Sequence, residues 1–295
     1  MPTMALGIDD EDGGPVWEPV KGSPLVPGQL AWGRLAVGHH CEVWLCWSLD
    51  LWVPTLVKAV RPAWSPPRWT RALRREAAAL RPLRHPAFPR LLADGTRTEL
   101  PHLVVEHLDG PALDEVVDDD GLLPGPDVAR LGVGLLSAVR SLHRTGRGHL
   151  DICPDNVLLV DRRVRLIDLG ASRRLGHVLR RGEELGTDDF VAPELAAARG
   201  GPVTPAMDVY GIGATLLAVL EPPDGDASIR RLLTDLVAAE PAARPTVDEA
   251  LARLIRFTGN GAERSWPRWA DRGLERRPRR RPARARATAA EVTPA

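Results

Sequence analysis

Apolar and polar residues alternate along Arg34–Val37, Glu42–Trp47 and Thr55–Val60. A period of two belongs to strands with one buried face, and the short turns between these runs predict antiparallel pairing. Pro66-Pro67 opens a predicted helix reaching Arg84, along which Ala72, Leu73, Glu76, Ala79, Leu80 and Leu83 recur at helical spacing. Leu91–Ala93 and His102–Glu106 read as two further strands. From Leu113 onward the period lengthens, and Asp127–Thr145, Thr204–Leu220, Ser228–Ala239 and Thr246–Phe257 are the expected helices. A polar, irregular stretch runs from His149 to Glu194, broken by short apolar strands Val157–Val160 and Val164–Ile167. The expected fold class is α+β in two lobes: a small β-rich lobe with one helix, a larger helical lobe, and a cleft between them.

Charge changes the picture at both ends. Asp9, Asp10, Glu11, Asp12 and Glu18 make residues 1–27 an acidic head, expected to be flexible. Residues 259–295 form an Arg/Pro-rich tail: Glu263 to Arg286 carries ten arginines against three acids, and disorder is expected there too. The folded domain is expected over residues 28–258, with the first lobe at about 28–106 and the second at about 107–258. No apolar signal segment opens the chain, and the longest apolar run, Ala206–Leu220, holds Asp208 and is too short to span a bilayer. Cys41, Cys46 and Cys153 show neither metal-ligand spacing nor an even-numbered framework, so a reducing, cytoplasmic compartment is expected.

Only two of the 39 basic residues are lysines, and one, Lys58, lies mid-strand in Thr-Leu-Val-Lys-Ala-Val. An ammonium is a compact point charge suited to phosphate oxygens, whereas a guanidinium demands forked partners. The plain alternative is a strand lysine whose head snorkels to water. Downstream stand His149-Leu150-Asp151-Ile152-Cys153-Pro154-Asp155-Asn156 and then Asp168-Leu169-Gly170. Further on come Gly186-Thr187, Ala192-Pro193-Glu194, Asp208-Val209-Tyr210-Gly211 and Arg244-Pro245. In this order the chain resembles the eukaryotic-type protein kinase family, in its bacterial serine/threonine branch.

The resemblance implies a protein-kinase-like fold using ATP and Mg2+ to phosphorylate a protein substrate on Ser or Thr. Lys58 would hold the α- and β-phosphates and Glu76 would orient it. Asn156 and Asp168 would bind the metal, as oxygen donors for a hard cation. Asp151 would take the proton from the acceptor hydroxyl, with Thr187 reaching toward it. Gly38, Val43, Glu106 and Leu108 would line the nucleotide. Glu194 and Arg244 would form a structural ion pair, and Asp208 would hold the catalytic loop by its backbone. Taken singly, Asp151 or Asp168 is equally a loop aspartate capping a turn.

The pattern is also broken. Ala36-Val37-Gly38-His39-His40-Cys41-Glu42-Val43 keeps only the central glycine of G-x-G-x-x-G-x-V, and Cβ atoms at Ala36 and Cys41 restrict the backbone. Cys153 replaces a lysine that faces the transferred phosphate, removing a positive charge where the transition state needs one. These departures imply a slow kinase; the alternative is a pseudokinase, a signalling scaffold with or without nucleotide. Leu150 replaces an arginine that clamps phosphorylated loops, and between Asp168 and Glu194 the only hydroxyls are Ser172 and Thr187. Phosphorylation of that segment is therefore not the expected switch, and Glu183, Glu184, Asp188 and Asp189 read as solvated charge, with a phosphate-mimicking role as the alternative. Cys41 and Cys153 flank the expected phosphate site as small apolar filler, with a redox switch as the sharper alternative. The six tryptophans from Trp32 to Trp69 are expected to pack the first lobe. For the tail, ending in Arg284-Ala285-Arg286-Ala287-Thr288, the options are an inert arm, nucleic acid, anionic lipid, or its own cleft.

Overall fold

The strand periodicity is realised as a six-stranded antiparallel sheet. The computed structural model describes residues 5–9, 14–38, 41–62, 67–160, 163–183, 185–197, 200–222 and 227–258. A hairpin of β1 (Ala5–Ile8) and β2 (Pro15–Glu18) precedes β3 (Pro24–Val26), β4 (Gln29–Val37), β5 (Cys41–Ser48) and β6 (Pro54–Val60). Helix α1 (Pro67–Leu80) follows, then β7 (Leu91–Asp94) and β8 (His102–Glu106). The sheet order is β3-β4-β5-β6-β8-β7.

Register gives the sheet two unlike faces. Glu42↔Ala59, Trp44↔Val57 and Cys46↔Thr55 are paired across β5 and β6, and all six residues are buried on the outer face. There Leu25, Val26, Ala31, Trp44, Cys46, Val57, Ala59 and Val104 form one apolar cluster, with Trp17 packed against it. The alternate pairs Cys41↔Val60 and Val43↔Lys58 point to the other face, beside α1.

The second lobe begins with α2 (Leu113–Asp120) and α3 (Gly125–Arg144). Short strands β9 (Arg147–Gly148), β10 (Val157–Val160), β11 (Arg163–Leu166), β12 (Arg173–Arg174) and β13 (Val178–Leu179) carry the irregular stretch. Then come α4 (Pro193–Ala196), β14 (Gly201–Pro202), α5 (Pro205–Ala218), α6 (Ser228–Leu236) and α7 (Val247–Leu254). Helix α3 buries Leu131, Leu135, Leu136, Val139 and Leu142 against the same core as Ile212 and Leu216 of α5. No helix among the described residues is long and apolar enough to cross a membrane.

Three expectations need correction. Residues 14–27, placed in a flexible head, are folded: Val16 is fully buried, and Trp17 packs on the sheet's outer face. That face is apolar and needs a cover, which the acidic composition of the head concealed. Helix α1 stops at Leu80 rather than Arg84, because Pro82 supplies no N–H and disfavours helical geometry at Arg81. The tryptophans are not uniformly packing residues: Trp44 is buried, but Trp32 and Trp52 are exposed, Trp52 to 72%. The tail at 259–295, Glu184 and the side chain of Trp69 lie outside the described residues.

Candidate active site

Lys58 stands on the cleft face of β6, and α1 brings Glu76 against it at helical spacing from Leu73 and Leu80. The ammonium Nζ lies 2.7 Å from Glu76 Oε1 and 3.7 Å from Asp168 Oδ1. One cation therefore joins the sheet, the helix and the second lobe. Burial by itself would lower the Lys58 pKa, but the carboxylates of Asp168 and Glu76 outweigh it and hold the ammonium above its ordinary range. The two carboxyls differ. The Lys58 ammonium holds Asp168 below the usual carboxylate range, whereas burial pushes Glu76 up despite Lys58. Asp168 is thus the acid that stays ionised.

Asp168 sits at φ 61, a left-handed conformation rare for a residue with a Cβ. Its own Oδ1 accepts the Gly170 N–H at 3.0 Å, which closes the turn and offsets the strain. Leu150 is also left-handed, at φ 71, and the reason lies beneath it. Asp208, buried on α5, accepts the N–H groups of His149 and Leu150 at 2.9 and 2.8 Å, and His143 Nε2 lies 2.7 Å from the same carboxylate. Burial would raise the Asp208 pKa, but these partners hold it below the usual range. Thr215 on the same helix donates to the Ile152 carbonyl at 3.0 Å. The loop from His149 to Ile152 is hung from α5 by its backbone.

That suspension presents Asp151. Thr187 Oγ1 donates to Asp151 Oδ1 at 2.7 Å and lies 3.6 Å from Cys153 Sγ. Asn156 Nδ2 donates to the Asp151 carbonyl at 3.0 Å, fixing the amide by its nitrogen end. Gly186 has φ 86, and a Cβ there would come within 2.8 Å of the Leu150 carbonyl. Only glycine lets the segment approach closely enough for Thr187 to reach Asp151. Farther along, the Arg244 fork grips Glu194 through two bonds of 2.7 Å and also donates to the carbonyls of Ala206, Ala238 and Ala239.

Two readings of the segment change. Glu183 is no free surface charge: Arg173 donates to its Oε1 through Nε at 3.2 Å and Nη2 at 2.7 Å. Burial would raise the Glu183 pKa, but Arg173 and the Arg180 N–H hold it low. Beside it, Arg75 on α1 donates to the Gly170 carbonyl at 3.1 Å, its pKa lowered to about 10 by burial and by Arg173. Asp188 and Asp189 are exposed, as expected of solvated acids. The thiols also lose their redox premise, since burial pushes Cys41 up to about 12, against Lys58, and raises Cys153 as well. Cys153 is buried and Cys41 half-buried, and the raised pKa of each favours the apolar-filler reading.

The remaining expected residues divide. Val43 pairs with Lys58 across β5 and β6 and shares its face. Gly38 turns the hairpin between β4 and β5, its N–H donating to the Cys41 carbonyl at 2.9 Å. Leu108 is buried just past β8. The Glu106 side chain is turned to Arg165 at 3.2 Å and Arg90 at 3.6 Å, so only its backbone is left to meet a nucleotide. Arg75, Arg173 and His143 were not singled out from the sequence. Nothing in their spacing marks them, because their partners arrive from distant segments.

A family model described as protein kinase domain matches residues 34–224. Among curated proteins, the chain is similar to the serine/threonine-protein kinase PkaA of Streptomyces coelicolor, 34% identical over 189 residues. That match covers 61% of this chain and 34% of the relative. PknB of Mycobacterium leprae is 29% identical over 200 residues, covering 64% and 32%, and PrkC of Bacillus subtilis is 27% identical over 194, covering 63% and 30%. The matched region spans about a third of each of these relatives.

Proposed function

Because this chain belongs to the protein kinase domain family, we propose that it transfers the γ-phosphoryl group of ATP to Ser or Thr hydroxyls of protein substrates in the cytoplasm. The observation that carries the reading is the joining of Lys58, Glu76 and Asp168 across the cleft, with Asp151 poised beside Thr187. Phosphoryl transfer asks mainly for charge neutralisation and alignment, and these residues supply both.

Lys58, held by Glu76, binds the α- and β-phosphates. Gly38 and Val43 cover the nucleotide, and the backbone around Glu106 and Leu108 meets its base. The ionised Asp168 and the amide oxygen of Asn156 are hard donors that fit Mg2+, which when bound neutralises phosphate charge. Asp151 accepts the proton of the acceptor hydroxyl as its oxygen bonds to the γ-phosphorus and the bond to the β-phosphate oxygen breaks. Thr187 steadies that carboxylate. The Glu194–Arg244 pair anchors the segment beside the acceptor, a support suited to a polypeptide substrate. Cys153 leaves the transferred group without one positive neighbour, and turnover is correspondingly slow.

The same cysteine, with Ala36 and Cys41, favours the second reading, a pseudokinase that signals by binding. Thermal-shift titration with Mg-ATP, followed by radiolabelled phosphate transfer, separates the two. Active wild type should lose roughly 10²–10⁴-fold in kcat on Asp151→Asn while keeping its nucleotide affinity. Transfer that survives this change contradicts the assigned base, and binding without any wild-type transfer supports the pseudokinase.

A further inference from the structure

Two charged residues of the first lobe are buried more deeply than the proposed chemistry requires. Glu42, at 0% exposure, follows Cys41 on β5; Arg61, at 2%, follows the last residue of β6. Both have partners on β2. The Trp17 N–H donates to Glu42 Oε1 at 2.9 Å, and Trp44 Nε1 donates to Oε2 at 3.1 Å. Arg61 Nε donates to the Pro15 carbonyl at 3.2 Å, and its Nη1 donates to the Gly38 carbonyl at 3.4 Å. The Trp17 indole N–H donates to the carbonyl of Val60, next to Arg61, at 2.8 Å. Strand β2 lies outside residues 34–224 matched by the family model.

Burying an arginine and a glutamate is costly unless each finds partners, and here backbone groups of β2 are among them. What the buried Arg61 grips is the turn over the expected phosphate site. A loop with three glycines shapes itself around phosphate through backbone freedom. This loop has Cβ atoms at Ala36 and Cys41 and retains one glycine. A turn so restricted keeps its place over a phosphate only if it is held from outside, and the hold here is on the Gly38 carbonyl.

We infer that Arg61 is a positioning residue for the phosphate-binding turn and that β2 is the brace that holds it there. The chain Pro15–Arg61–Gly38 fixes the turn from behind, while Trp17 and Glu42 fix β5 and β6 on either side. The inference rests on the reading that the cleft takes ATP.

The test compares Mg-ATP with adenosine, which lacks phosphates, by calorimetric titration of the full chain. Arg61→Met keeps side-chain bulk but removes the guanidinium and with it the bonds to Pro15 and Gly38. It should weaken ATP binding about three- to tenfold and leave adenosine unchanged, with Arg61→Lys recovering part of the loss. An unchanged ATP affinity, or equal losses for ATP and adenosine, overturns the proposal, because a merely structural role does not discriminate phosphates. If circular dichroism shows Arg61→Met unfolded, Trp17→Phe keeps an aromatic ring on the outer face but removes the indole N–H that bonds Val60, with some loss of packing. A selective loss of ATP affinity then supports the brace, and none overturns it. Wild type that binds neither ligand sinks the phosphotransfer reading itself, before any variant is compared.

Discussion

Lys58 is the cation shared by the buried Glu76 and the half-exposed Asp168, so its removal has a signed consequence. Lys58→Met leaves Glu76 and Asp168 facing each other without compensation, at an expected cost of about 3 kcal/mol at neutral pH. Glu76 already has a raised folded pKa, and losing the ammonium raises it further. A folded state that binds more protons than the unfolded one gains stability as pH falls toward the unfolded carboxyl pKa. The gap between Lys58→Met and wild type should therefore narrow between pH 7 and pH 5 in urea titrations; a constant gap contradicts the coupling. Cys153 allows the opposite experiment. Cys153→Lys restores a positive charge near the transferred phosphoryl group, and kcat should rise by about tenfold or more.

Elements position these residues through a few long-range ties. Helix α1 holds Glu76 toward Lys58 and, one residue earlier, Arg75 toward the Gly170 carbonyl. The segment after Asp168 is tied in turn by Arg173 to Glu183. A resident carboxylate thus does the work of alignment in a segment whose only hydroxyls are Ser172 and Thr187. Glu183→Ala should lower kcat by roughly tenfold through misplacement of the Thr187 region, leaving the KM for ATP near wild type. Steady-state kinetics with a peptide acceptor reads this, and a purely KM effect would assign Glu183 to nucleotide binding instead. Phosphatase treatment should leave the wild-type rate unchanged.

In the whole molecule, acid sensitivity concentrates where the catalytic loop meets α5. Burial holds the His149 pKa below its ordinary 6.5, despite nearby Asp208, and Asp208 is itself depressed. Both shifts mean that the unfolded chain binds more protons. Stability should therefore fall as pH drops below about 6.5, first through His149 and later through Asp208. Urea titrations from pH 8 to pH 4 on wild type and His149→Gln check this, the variant showing a smaller early loss, since His85, whose pKa burial also lowers, still contributes. The strands from β4 to β8 and helices α1, α3, α5, α6 and α7 were legible because their periodicity is local. The meeting of Lys58, Glu76 and Asp168 was legible too, because their residue types and order match the family's pattern. The folded head was not legible, because what orders it is an apolar sheet face formed by residues far along the chain. Glu183 was misread for the same reason, since its solvated appearance in sequence gave no sign of Arg173. Local spacing thus determined the two-lobe plan. Tertiary packing alone decided which charges are buried, which are paired and which pKa values move, because burial and proximity arise only when distant segments meet.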